Sequence, residues 1–382
     1  MPDPIKRYPN SYTIDSNNFP LFFNELGKRG FLIIGPTLRD NAIILDELNS
    51  VEELPIGWTD EQEGGMYRIK KRNDNSYFGY NLGPHSWKNF LFPPVTQLWQ
   101  SQKKFKGYLF EESQNQPQKY AFLGVRACEL SAITILDRIF FSGKYIESNY
   151  QSTRDKVFII VVNCSQAGGT CFCNSMKTGP KAKGNFDLAL TEIFDSQKHY
   201  FLAEVGSVRG EDLLQNIPHH TAKSDEISLE DKIIQKTIQN MGRTLDTHKI
   251  QELLYGNYEN PEWENVAKRC LSCANCTMVC PTCFCHTVED YTDLTGNIAG
   301  RKRKWDSCFT MDFSYIHGGS IRSSVMSRYR QWMTHKLATW IDQFGSSGCV
   351  GCGRCITWCP VGIDITEETR KIRESKINVK TI

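Results

Sequence analysis

Residues 270–281 read Cys-Leu-Ser-Cys-Ala-Asn-Cys-Thr-Met-Val-Cys-Pro, and residues 349–360 read Cys-Val-Gly-Cys-Gly-Arg-Cys-Ile-Thr-Trp-Cys-Pro. Both spell C-x₂-C-x₂-C-x₃-C-P, a thiolate run that holds paired cubane [4Fe–4S] clusters. Cysteines at i, i+3 and i+6 let one short loop wrap a cluster. The fourth, a helical turn further on, faces away and reaches the neighbouring cluster. The proline behind it has no N–H to continue a backbone ladder, so it closes the loop. The spacing therefore assigns one cluster to Cys270, Cys273, Cys276 and Cys359, and a second to Cys349, Cys352, Cys355 and Cys280. A zinc ribbon uses pairs of C-x₂-C and has no place for a third cysteine at the same spacing and a fourth before proline. A disulfide framework belongs to short secreted chains, and this chain has 382 residues.

The composition is that of an ordinary globular protein, with 40% hydrophobic residues and a net charge of +2. That charge gives no reason to expect nucleic acid or anionic lipid as a partner. The 15 cysteines, grouped in cluster spacing, imply a reducing compartment. The first twenty residues are polar and lack an apolar signal core, and no apolar run reaches the length of a membrane span. A cytoplasmic protein without membrane contact is expected. The length allows two domains, and composition shifts divide the chain into an N-terminal α/β domain (1–225), a helical connector (226–265) and a two-cluster domain (266–382).

Along the N-terminal part, residues 19–30 read as a helix with a glycine stop, and residues 31–34 as a strand bounded by Gly35-Pro36. Residues 60–76 are turn-rich and suggest two exposed strands. Residues 80–94, dense in aromatics and prolines, suggest an ordered, packed loop. Residues 120–125 and 157–162 are apolar strands flanking a segment with apolar residues at Leu130, Ile133, Leu136 and Phe140, the helical period. This β-α-β pattern predicts a sheet that is at least partly parallel and buried on both faces. Cys128 lies where the first strand turns into the helix, Cys164 just past the second strand, and both fall at the carboxyl edge where open α/β sheets place their sites. Gly168-Gly-Thr-Cys171-Phe-Cys173 follows at once. Cys128, Cys164, Cys171 and Cys173 are thus expected to form a third [4Fe–4S] site, with the bland alternative that they are small buried hydrophobes.

Between the two cysteine blocks, residues 282–348 form a long insertion. It carries Cys283, Cys285 and Cys308, one thiol short of a cluster and expected to pack around a neighbouring one. Residues 323–344 read as a helix with Val325, Tyr329, Trp332, Met333, Leu337, Trp340 and Ile341 on one face. Arg328, Arg330, His335 and Lys336, with residues 301–304, are expected to make a solvated basic surface. No G-x-G-x-x-G opens a helix after a strand, and no Walker loop, Ser-His-Asp or H-E-x-x-H arrangement is evident. No catalytic residue is assigned.

The motifs Gly124-Val-Arg-Ala-Cys-Glu-Leu, Gly168-Gly-Thr-Cys-Phe-Cys-Asn-Ser-Met, residues 270–285, Trp305-Asp-Ser-Cys-Phe and Gly348-Cys-Val-Gly-Cys-Gly-Arg-Cys-Ile together resemble the β subunit of cytoplasmic NAD(P)-linked nickel–iron sulfhydrogenases. The A subunit of anaerobic sulfite reductase is similar to the same family. The resemblance runs from about residue 80 to the C-terminus. It implies an iron–sulfur electron-carrying subunit bound to a flavin-containing, NAD(P)H-linked subunit and to hydrogenase or sulfite reductase subunits.

The expectation is thus an α+β protein: an N-terminal α/β domain with a partly parallel sheet and a mainly helical, ferredoxin-like dicluster domain. Its function would be one-electron hopping through clusters whose potentials are set by burial, charge and hydrogen bonds to sulfur. Arg354, inside the second block, is expected to stabilise the reduced state of a cluster. Two rival readings are a self-contained reductase of sulfur compounds and an assembly subunit whose clusters do not turn over.

Overall fold

Strands that are apolar on both faces have to be covered on both, and this places them at the middle of a sheet. The computed structural model describes residues 11–112, 117–141, 145–195 and 198–375. Ser11–Asp15 (β1) leads into the helix Pro20–Lys28 (α1) and the hairpin Leu32–Arg39 and Ala42–Glu47 (β2, β3). Trp58–Glu63 and Met66–Lys71 (β4, β5) form a second hairpin. After the short helix Lys88–Leu91 (α2) come Val95–Lys103 and Tyr108–Glu112 (β6, β7). Tyr120–Val125 (β8), Ala127–Phe141 (α3), Ser148–Arg154 (α4) and Phe158–Val162 (β9) form the expected β-α-β unit. Leu188–Asp195 and Lys198–Val205 (β10, β11), Val208–Leu214 (α5), His220–Thr221 (β12) and Ser224–Gln239 (α6) follow.

The main sheet has the order β12-β1-β11-β10-β9-β8-β2-β3. Its middle, β10-β9-β8-β2, is parallel, and its flanks are antiparallel. β2 runs on through Gly35-Pro36 rather than stopping there. Pairing with β8 ends at Ile34, so Pro36 faces a neighbour on one side only and its missing N–H costs no ladder bond. The loop over residues 80–94 is packed as expected, with Tyr80, Trp87 and Phe92 buried. Trp87 lies 4.6 Å from Phe122 between ring centroids, and Phe90 and Tyr120 close around the same ring.

The C-terminal part comprises Ile250–Gly256 (α7), Glu262–Ala267 (α8), Asn275–Met278 (α9), the hairpin His286–Thr292 and Ile298–Trp305 (β13, β14), Val325–Thr334 (α10), Trp340–Phe344 (α11), Arg354–Thr357 (α12) and Ile365–Glu374 (α13). A π-helical turn, His335–Thr339, joins α10 to α11 into the long helix expected there. The region is less purely helical than expected. Its insertion opens with β13 and β14, and β14 pairs with β6 to give the antiparallel sheet β13-β14-β6-β7. The two parts of the chain are therefore stitched by strand pairing. α6 spans the expected boundary at residue 225 and packs on β10 and β11, with Leu229 and Ile233 against Ile193 and Leu202. Among the described residues no helix is long and apolar enough to cross a membrane.

Phe122 has no exposed surface and sits at the centre of the largest core cluster. Replacing it with alanine is expected to cost about 3–5 kcal/mol, read as a lowered midpoint of urea unfolding.

Candidate metal centres

The two cysteine blocks fold into matching loops. Backbone φ is positive at Ser272 and Ala274 in the first and at Gly351 and Gly353 in the second, two and four residues after the leading cysteine in each case. The Ser272 N–H donates to Cys270 Sγ at 3.4 Å, and the Gly351 N–H donates to Cys349 Sγ at the same distance. The turns then enter α9 and α12, which pack against each other. The first loop tolerates side chains at its left-handed positions, whereas the second does not. A Cβ at Gly351 would lie 2.6 Å from the Phe172 carbonyl carbon, and one at Gly353 would lie 2.5 Å from the Thr170 carbonyl oxygen. The second loop is pressed onto the Thr170–Cys173 turn of the N-terminal part. The Phe172 N–H donates to Gly351 O at 2.8 Å, and Thr178 Oγ1 donates to Val350 O at 2.6 Å.

The structure brings the cysteines of the two blocks together in two groups. Cys270, Cys273, Cys276 and Cys359 line one cavity, walled by Phe309, Tyr329 and Trp332. The Ile363 N–H donates to Cys359 Sγ at 3.3 Å. Cys273 is exposed, on the side of this cavity where Leu271, Asn275 and Val361 also meet solvent. Cys280 crosses over to Cys349, Cys352 and Cys355 and is a charge neighbour of each. The four N-terminal cysteines, Cys128, Cys164, Cys171 and Cys173, line a single further cavity with Cys352 of the second block at its wall. β8 carries its bulge at Gly124, where φ is +89°, and this turn delivers Arg126 and Cys128 to the sheet edge. Cys164 follows the end of β9, its N–H donating to Pro180 O at 3.2 Å.

The donor chemistry fits iron–sulfur clusters. Among the described residues no three His, Cys, Asp or Glu side chains converge closely enough to hold a single metal ion. The Cys270 group and the N-terminal four each ring a void, as a group larger than one ion requires. Burial pushes the Cys171 and Cys349 thiols up to about 12, and raises Cys128, Cys276 and Cys355 as well, with neighbouring thiols adding to it. Such a set ionises only around a bound cationic core. In the wall of the N-terminal cavity, Arg126 donates to Phe78 O and Tyr80 O yet leaves its buried Nε–H without a partner among the described residues.

The cations near these cavities are not the solvated face expected. Arg328, Lys336 and Arg303 are all buried, and only residues such as Arg301 lie on the surface. Arg354 is 5% exposed, and its guanidinium donates to Glu129 Oε1 at 2.6 Å and to Gly83 O at 3.0 Å. Glu129 is 1% exposed and also accepts from Trp87 Nε1 at 3.0 Å. The charge of Arg354 is paired with Glu129 within the protein, while the same side chain also lies against Cys352 and favours its thiolate. Lys336 donates to Cys280 Sγ and was the functional residue most open to discovery from the sequence. It stands three residues after Met333 and four before Trp340, on the apolar face of its helix rather than the polar one. Lys88, also buried, donates to Cys283 O at 2.9 Å and sits 3.7 Å from the Trp305 ring centroid. Cys283 lies beside Cys280 of the second centre, and Cys285 lies beside Cys308, which in turn neighbours Cys276 of the first.

Comparison with known proteins agrees with this geometry. Residues 269–363 match the family described as a 4Fe-4S dicluster domain. Over 368 residues the chain is 28% identical to Sulfhydrogenase 2 subunit beta of Pyrococcus furiosus, a match covering 95% of this chain and 98% of that protein. Along nearly its whole length, then, this chain is similar to a sulfhydrogenase β subunit, and it carries the iron–sulfur dicluster region within that likeness.

The crowding of the second loop has a direct test. Gly353→Ala is expected to lower both the iron content and the urea-unfolding midpoint, by about 1–3 kcal/mol through overpacking against Thr170. Ala274→Gly, at the equivalent place in the open first loop, is expected to leave iron content near wild type.

Proposed function

We propose that this chain is the iron–sulfur electron-transfer subunit of a heteromeric oxidoreductase of the hydrogenase type. Cys270, Cys273, Cys276 and Cys359 would hold one [4Fe–4S] cluster, and Cys280, Cys349, Cys352 and Cys355 a second. Cys128, Cys164, Cys171 and Cys173 would hold a third. Bound there, the clusters would supply reversible one-electron acceptors whose potentials depend on charge, burial and hydrogen bonds to sulfur. The observation that carries the reading is the shared wall. Cys352, a ligand of the second centre, lines the cavity of the N-terminal four, while Cys276 of the first centre is a charge neighbour of Cys355.

The chain's own residues have definite tasks in this reading. The N–H groups of Ser272, Gly351 and Ile363 donate to Cys270, Cys349 and Cys359 and orient those sulfurs. Phe309, Tyr329 and Trp332 keep water from the inner side of the first cavity. Cys273 leaves one corner of that cavity open to solvent, the natural edge for exchange of electrons with a partner. The likeness to a subunit named as part of a sulfhydrogenase supports a flavin-containing, NAD(P)H-linked partner on one side and hydrogenase subunits on the other. The absence of a nucleotide-binding loop from the sequence is in keeping with a partner that binds the nicotinamide.

Iron analysis of the anaerobically purified chain is expected to give about twelve irons per chain, four for each cluster. Cys164→Ala is expected to lower that count by about four while the spectroscopic signals of the other two centres persist. Fewer than about eight irons in the unaltered chain, or zinc in their place, would sink the proposal.

A further inference from the structure

Lys336 lies in the π-helical turn His335–Thr339 and is 3% exposed. A π turn interrupts the regular ladder with an extra residue and is a frequent mark of a functional position. Its ammonium makes three contacts: Cys280 Sγ at 3.2 Å, Thr282 Oγ1 at 3.1 Å and Gly348 O at 3.1 Å. Those contacts use all three of its protons. Thr282 Oγ1 in turn donates to Gly348 O at 2.6 Å, so the acceptors that hold the ammonium are themselves fixed. Among the described residues Lys336 has no carboxylate partner. Arg354, beside the same centre, differs in having Glu129 at 2.6 Å. A buried ammonium without a carboxylate is costly unless some other negative charge faces it. The anion that Lys336 faces is the sulfur of Cys280.

We propose that Lys336 is a positioning residue whose fixed charge raises the reduction potential of the cluster held by Cys280, Cys349, Cys352 and Cys355. This makes that centre the place where an electron rests within the relay. The inference stands on the cluster assignment given under Proposed function. Reduction adds one electron and one unit of negative charge to the centre and breaks no bond. An N–H donated to a ligand sulfur from a cationic group stabilises the reduced form more than the oxidised one. Arg328 reaches the first centre from the same helix through Ser272 Oγ, at 3.4 Å, and its sulfur contact is to Met311 rather than to a cysteine. The two centres are therefore set unequally by one helix, and the second is the better electron acceptor.

The test is a redox titration, followed by electron paramagnetic resonance, of the full chain with Lys336→Met, Lys336→Gln and Lys336→Arg, with iron content measured on each. Gln keeps a donor and removes the charge, Met removes both, and Arg keeps the charge. With iron retained, the Met variant is expected to show one centre reduced at least tenfold less readily at a given poise, a downward shift of about 59 mV for a one-electron couple. Gln should show a smaller shift in the same direction, and Arg should recover most of it. Full iron content with every potential unchanged would overturn the proposal, as would an equal shift of all centres. Loss of iron from both Met and Gln variants would also overturn it, because Lys336 would then be needed to hold the centre rather than to tune it. Too little iron in the unaltered chain would strike the cluster assignment itself, and this inference with it.

Discussion

Repulsion between buried thiolates is the constraint on which the arrangement depends. Two unit charges 4 Å apart repel by about 4 kcal/mol even at an effective dielectric near 20. Several thiols crowd each centre, and burial together with these neighbours holds Cys171 and Cys349 at about 12. Below that range they stay protonated unless a cationic core draws the protons off. The fold therefore buries most of these cysteines as neutral thiols that become ligands only together with a cluster, whereas the Cys283 thiol and the Lys336 ammonium draw Cys280 toward its thiolate. The protein then has to manage the net negative charge that remains. It does so with buried cations and aimed N–H groups rather than with water.

Those cations are not equivalent. The Arg354–Glu129 pair, buried on both sides and tied to Trp87 and Gly83, is a structural clasp between the second cysteine block and α3. Breaking such a pair from one side typically costs about 3–5 kcal/mol, since the survivor keeps its burial without its counter-charge. Its net field at the clusters is that of a dipole. Lys336 and Arg328 have no such partner among the described residues, so their fields act as whole charges. The distinction between a clasp and a tuning charge rests on which cations meet a carboxylate.

Sequence spacing made the thiol groups legible because ligation by loops is local: i, i+3 and i+6 fix three positions whatever the rest of the chain does. The β-α-β unit was legible for a similar reason, since apolar strands and a helical period at 120–162 leave few arrangements. Long-range relations were not. The pairing of β14 with β6 joins strands about two hundred residues apart, and neither strand is apolar enough to announce a buried partner. The expectation of a mainly helical C-terminal region did not include the β13–β14 hairpin. Lys336, Arg328 and Arg303 were assigned to the surface by their charge, although the helical period had already placed Lys336 on the buried face. Charge was the weaker guide because a cation beside thiolates is one of the few that burial favours.

The glycines of the second block mark where the two parts of the chain press together. Ser272 and Ala274 adopt the same left-handed backbone as Gly351 and Gly353, so conformation alone does not demand glycine at these places. What demands it is contact: Thr170 and Phe172 lie where side chains would be. The same approach sets Cys171 Sγ 3.8 Å from Cys352 O and turns Cys352 to the wall of the N-terminal cavity. Electron transfer weakens steeply with distance, so a relay across two parts of a chain needs its backbones in van der Waals contact at the crossing. The absence of a Cβ at Gly351 and Gly353 lets this loop approach the Thr170–Cys173 turn that closely, and the first loop, at the exposed end, is free of the requirement.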